Sequence, residues 1–185
     1  MNVGVLAIQG DFTAHAAALT RLGATAVAVR RPSDFDGLDA LVLPGGESTA
    51  MLRGIERDHL EGPLTAYLRS SRPILGTCAG AILLAHRVTN PPQRSFDALD
   101  VDVERNAYGT QLDSFAAVTD PGLALSGVPA LFIRAPRIVR VGDAVEVLAR
   151  VAGAPVLAHA GRAWVATFHP ELGSDDRVLG AWLAH

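Results

Sequence analysis

A single cysteine framed by glycines limits what this chain can fold into. Cys78 stands in Gly76-Thr77-Cys78-Ala79-Gly80, directly after the apolar run Pro73-Ile74-Leu75 and before the helix-like stretch 81–85. A strand, a sharp turn and a helix in immediate succession have the G-x-C-x-G form of a nucleophile elbow. There the reactive side chain sits on a strained turn at the carboxyl end of a central strand. Glycines two residues to either side let strand and helix approach where a β-carbon would clash. The helix aims its first free N–H groups at the sulfur, a position that activates a thiol. By residue type alone a lone cysteine is a small buried hydrophobe, and that reading stays open until a base is found.

The surrounding pattern supplies the sheet such an elbow needs. Residues 3–9 read as a buried strand ending at Gly10, and Asp11 can cap a helix with apolar positions Phe12, Ala16, Leu19 and Leu22, stopped by Gly23. Residues 25–29 and 40–43 read as further strands, the latter ending at Pro44-Gly45-Gly46, and 61–70 as a helix leading to the elbow strand. Alternating strand and helix predicts an α/β fold, with a mostly parallel sheet and helices on both faces. Ligands of such sheets bind outside the carboxyl ends of the strands. Three of these ends carry unusual chemistry: Gln9-Gly10, Gly45-Gly46-Glu47-Ser48 and Cys78.

The second half differs. Residues 89–94 form an irregular connection, followed by short β-like runs at 101–104, 112–118, 130–133, 146–151, 155–159 and 164–168. Their linkers are too short for helical crossovers, so some must pair antiparallel. Residues 175–183 can form a closing helix. The 185 residues suit one domain, 1–185. A net charge of −3 offers no electrostatic case for nucleic acid or an anionic membrane. One cysteine excludes an internal disulfide and fits a reducing, cytoplasmic setting, as does an amino terminus without a basic leader. No apolar run approaches membrane-spanning length. All 16 basic residues are arginine, so a lysine Schiff base cannot be carried by this chain.

A thiol nucleophile needs a base and a group to orient it. His169 follows an apolar strand and opens His169-Pro170-Glu171. If the segment stays extended, Glu171 lies on the same side and can hold the imidazole facing Cys78. His15, His59 and His86 fall on helical stretches and His185 ends the chain, so a solvated or structural role is the default for them. His159 ends a strand, and no role follows for it. An oxyanion hole needs the N–H of Ala79 and a second donor, for which Gly45-Gly46 is suited; a plain strand-to-helix turn is the alternative for that glycine pair. In Phe132-Ile133-Arg134-Ala135-Pro136, Arg134 ends an apolar strand, a good place to recognise a carboxylate.

Together these residues resemble the class I glutamine amidotransferases and, more narrowly, the glutaminase subunits of pyridoxal 5′-phosphate synthase. The matching blocks are residues 4–10, 43–49, 76–80, 104–109, 113–115, 132–136 and 169–172, in family order over nearly the whole chain. The resemblance implies a flavodoxin-like sheet and a triad of Cys78, His169 and Glu171. It assigns glutamine contacts to Gly46, Glu47, Ser48, Arg105, Ile133 and Arg134, and an oxyanion hole to Gly46 and Ala79. The implied reaction hydrolyses L-glutamine to L-glutamate and ammonia through a γ-glutamyl thioester, with no metal or cofactor. Ammonia passes to a separate synthase subunit that assembles pyridoxal phosphate from a pentose phosphate and a triose phosphate. Imine-forming lysines belong to that partner, in agreement with their absence here. Two residues depart from the family pattern: Ala14 stands for a usual glutamate and Thr110 for a usual arginine, both of which bear on docking.

Rival readings are a glutaminase for another synthase, a stand-alone γ-glutamyl hydrolase and a catalytically silent regulatory subunit, which the complete triad disfavours. The isolated chain is expected to be a poor glutaminase. Docking, on a surface that includes helix 1 near His15, would correct an oxyanion peptide near Gly45-Gly46 or Gln9-Gly10.

Overall fold

The computed structural model describes residues 1–9, 12–106 and 114–185. The chain begins β1 (Asn2–Leu6), α1 (Phe12–Arg21), β2 (Thr25–Val29), β3 (Ala40–Leu43), α2 (Ser48–Arg57) and α3 (Glu61–Arg69). The elbow follows as β4 (Ile74–Thr77) and α4 (Ala79–Leu84), then β5 (Ala85–Thr89) and β6 (Leu99–Glu104). Next come β7 (Ser114–Val118), β8 (Pro129–Ile133), β9 (Arg137–Val141), β10 (Glu146–Val151), β11 (Ala154–Ala160) and β12 (Ala163–Ala166). A 3-10 turn at Pro170–Leu172 and α5 (Arg177–Ala184) close the chain. Among the described residues no helix is long and apolar enough to cross a membrane.

The main sheet has seven strands in the order β10-β11-β12-β4-β3-β1-β2. The run from β12 to β2 is parallel, while β10, β11 and β12 pair antiparallel. Strands β2-β1-β3-β4 reproduce the flavodoxin-like order expected from the resemblance, in which the order reverses beside β1. Alternation along each strand divides the core between two faces. Leu41 and Leu43 join one cluster with Met51 and Ile55 of α2 and Leu64 and Tyr67 of α3. Ala40 and Val42 join the other with Leu19 of α1 and Val178, Leu179 and Trp182 of α5. Helices therefore cover both faces.

The second half builds the predicted antiparallel pairs, but in smaller sheets as well. One has the order β5-β6-β9 and another joins β7 to β8. Several boundaries depart from the expectation. Strand β1 stops at Leu6 rather than at residue 9, and β12 at Ala166 rather than 168, so both chains leave the sheet before their polar residues. Helix α2 had no counterpart in the sequence reading. Glu47 caps it by accepting from the N–H groups of Thr49 and Ala50, and its Met51 and Ile55 are one turn apart. Strand β5 follows α4 without a turn residue, and its Ala-His start hid it. His86 thus lies on a strand, hydrogen-bonded to Asp97, and His59 in a turn with φ 56°, neither on a helix. On α1 the buried residues are His15, Ala18 and Leu19. Alanines around the whole helix blurred its apolar stripe. The Asp11 cap, Gly10, residues 107–113 and the Thr110 departure lie outside the described residues.

Candidate active site

Four neighbouring strands of the parallel sheet deliver their carboxyl ends to one cavity of about 440 Å³. Gln9 comes from beyond β1, Gly46, Glu47 and Ser48 from beyond β3, Cys78 and Ala79 from β4, and His169 from beyond β12. Arg105 and Asn106, after β6, and Ile133 and Arg134, at the end of β8, complete the lining with Ile82. All the site residues expected from the sequence therefore line this cavity except Glu171, which lies behind His169.

The elbow is as strained as its form requires. Cys78 has φ 48° and ψ −104°, a conformation that disfavours any residue with a β-carbon. Hydrogen bonds over-determine it. The Cys78 N–H donates to Ala166 of β12 at 2.8 Å and the Gly80 N–H to Pro44 at 3.2 Å. Gly80 packs so tightly on β3 that a β-carbon would overlap the Leu43 carbonyl oxygen. The cysteine is buried, with its Sγ 3.8 Å from the Ile133 carbonyl oxygen.

His169 Nδ1 is 2.7 Å from Glu171 Oε1. The contact arises through the 3-10 turn at Pro170–Leu172 rather than through an extended segment; Pro170 sets the local φ and the turn brings the two side chains together. Burial pulls the His169 pKa down, but hydrogen bonds and charge interactions with Cys78 and Glu171 outweigh it and push it up to about 10. Burial pushes the Glu171 carboxyl up, yet His169 and the nearby His15 hold it below the usual range. Glu171 therefore stays ionised and favours protonated His169. His169 is also fixed through its backbone, since its N–H donates to Leu131 of β8 at 2.9 Å. A β-carbon on Gly45 would overlap the imidazole Cε1. The first glycine of the pair makes room for the ring, a role the sequence reading did not assign. Gly46, with φ 145°, turns the backbone into the cavity in a conformation open to glycine.

The rim behaves differently. Arg105 donates to Glu47 Oε1 at 3.2 Å and to Thr49 Oγ1 at 3.1 Å. Ser48 is buried, and its hydroxyl donates to Gln93 Oε1 at 2.9 Å. Gln93 was missed because it lies in the irregular connection, with no motif to mark it. Arg134, at φ 44°, is exposed and makes no ion pair among the described residues. His159 stacks on Trp164, away from the cavity lining. Among the described residues no cluster of His, Cys, Asp or Glu side chains could hold a metal ion.

Residues 5–185 match the model of the SNO glutamine amidotransferase family. The chain belongs to that family. A pyridoxal 5′-phosphate synthase subunit PdxT of Solibacter usitatus is 50% identical over 189 residues, covering 99% of this chain and 98% of the relative. The subunit of the same name in Thermotoga neapolitana is 45% identical over 179 residues, with 96% and 95% covered. A crystal structure of a glutamine amidotransferase superposes with a TM-score of 0.91 at 41% identity, covering 98% of this chain and 97% of the other. In this amidotransferase the matched region takes in both the elbow and the His169 turn.

Proposed function

We propose that this chain is one glutaminase domain, 1–185, which hydrolyses L-glutamine and supplies ammonia to a separate pyridoxal 5′-phosphate synthase subunit. The observation that carries the reading is the short His169–Glu171 contact, with the imidazole and the Cys78 thiol lining the same cavity. In the first half-reaction Cys78 Sγ attacks the amide carbon while His169 takes the thiol proton. The N–H groups of Ala79 and Gly46 receive the oxyanion. His169 returns the proton to the amide nitrogen, the C–N bond breaks and ammonia leaves a γ-glutamyl thioester. A water, deprotonated by His169, then attacks the thioester carbon, the C–S bond breaks, glutamate leaves and His169 returns the proton to Cys78 Sγ. Arg134 is suited to the substrate α-carboxylate because no carboxylate of the described chain neutralises it, whereas Arg105 is engaged by Glu47.

A thiol that must stay reduced supports a cytoplasmic setting. The ammonia-receiving subunit is inferred from the names of the full-length relatives. The test is ammonia release from glutamine by the purified chain, before and after adding saturating synthase subunit. Stimulation by the synthase is expected, because an oxyanion donor completed only on docking would be worth roughly 2.7–4 kcal/mol. Equal rates with and without it would establish a stand-alone hydrolase instead, and no release in either would reject the glutaminase reading.

A further inference from the structure

His15 is fully buried on α1, and its Nε2 meets two groups of the candidate site at once. It lies 3.4 Å from Glu171 Oε1 and 3.4 Å from Thr77 Oγ1. The same Oε1 receives His169 at 2.7 Å. One carboxylate oxygen is thus shared by two imidazoles, the nearer of which faces the nucleophile. Thr77, also fully buried, is the residue before Cys78. A fully buried histidine is otherwise rare without a polar task, and here its ring bridges the turn that carries the base and the strand that carries the thiol.

We propose that His15 is a positioning residue, holding the Glu171 carboxylate at the angle from which it orients His169 and tying that angle to the elbow through Thr77. The carboxylate is buried and has one short partner. A second polar group on the same oxygen restricts its rotation about the last side-chain bond, which is otherwise broad. Freed from His15, Glu171 can turn away from Nδ1, and His169 loses the orientation that aims it at Cys78. Electrostatics agrees in direction, because His15 is among the groups that hold the Glu171 carboxyl below its usual range. Among the described residues, the titratable groups facing this cluster are Cys78 on the elbow and His169 and Glu171 on the turn.

The inference rests on the glutaminase reading, so its test uses two readouts, of which one needs no glutamine. Cys78 is the only cysteine, so its alkylation by iodoacetamide can be followed against pH without interference. Glutamine turnover is measured in the presence of the synthase subunit. His15→Phe keeps the ring volume but removes the polar edge, and His15→Gln retains a donor on that side. For His15→Phe we expect kcat to fall roughly ten- to a hundredfold with KM little changed, and the alkylation profile to move away from the wild-type inflection. His15→Gln should recover most of both. Wild-type kcat and an unmoved profile in His15→Phe would overturn the proposal. So would equal losses in both variants that track a common fall in Tm, the mark of a packing role. If the wild type releases no ammonia, the glutaminase reading fails on its own, and the alkylation profile still decides: displaced supports His15, unmoved rejects it.

Discussion

The reacting end of the cavity and its rim are built on opposite principles. Cys78, His169 and Glu171 come from ends of the main sheet; Cys78 and Glu171 are buried and His169 half-buried, and the backbone N–H groups of Cys78 and His169 are pinned to neighbouring strands. The Glu171 side chain is 2% exposed, whereas that of Glu47 on the rim is 53% exposed. Arg105, Ile133 and Arg134 arrive on the two small sheets, and Ile133 and Arg134 face solvent. Rigid geometry is placed where atoms must be aligned within fractions of an ångström, and adaptable charge where a substrate must enter. Substitutions at the first end should therefore strike turnover, and those at the rim should strike apparent affinity.

The largest effect is expected for Cys78→Ala, which removes the proposed nucleophile while leaving the elbow backbone in place. Ammonia release should fall by roughly 10⁵–10⁶ with an unchanged Tm, and a glutamine-like electrophile should label nothing. Residual turnover near the wild-type level would remove Cys78 from the mechanism. His169→Asn should approach the same loss, because members of such a set act as a unit; Glu171→Ala should be milder, since orientation is lost but the base remains. A normal rate in His169→Asn would assign the base elsewhere.

Gly45→Ala offers a sharper division between the two ends, because it touches neither charge nor substrate contact. The added methyl must displace the His169 ring, and a displacement on the order of 1 Å can lower kcat about a hundredfold. KM should stay close to wild type. A rise in KM without loss of kcat would mean that this glycine serves the rim.

At the rim, Arg134→Ala should raise KM roughly ten- to a hundredfold, the value of a charge-assisted contact of about 1.5–3 kcal/mol. Arg105→Ala should have a smaller effect, acting through Glu47 and Thr49. Steady-state kinetics of the two variants would reverse the assignment if Arg105 proved the more sensitive.

The smallest signal is expected in stability against pH, because desolvation offsets much of the attraction within a buried pair. The folded-state pKa of His169, about 10, lies above the unfolded value near 6.5. Its contribution is thus fully present below pH 6.5 and is lost as pH rises through about 10. Denaturant unfolding of wild type and His169→Asn should differ most at neutral or lower pH and converge above pH 10. A difference that grows with pH would contradict the raised pKa.

Much of the fold was legible because its signals are local. The glycines around Cys78 and the apolar runs of β2, β3 and β10 fix their elements through sterics and period, and the strands match the sequence reading residue for residue at 25–29, 40–43 and 146–151. Where propensity was ambiguous the reading slipped. Helix α2 was missed behind a double glycine and an internal Gly54, and β5 was absorbed into the leucine-alanine run of α4. Strand β9, Arg137–Val141, mixes two arginines with three apolar residues out of strict alternation directly after Pro136 and was also missed.

By itself, the sequence determined the chemistry available: one thiol, a histidine with a carboxylate two residues on, no lysine, and an alternation that could only stack a parallel sheet. Those facts depend on residue type and near-neighbour spacing, which the chain carries in one dimension. Tertiary structure alone decided how far-separated residues meet. It set His15 against Glu171 across 156 positions of sequence, and Gly45 against the His169 ring. It also engaged Arg105 with Glu47 while leaving Arg134 without an ion pair among the described residues. Such contacts follow from strand order and helix rotation, and those are set by packing both faces of the sheet at once, a property of the whole core rather than of any segment.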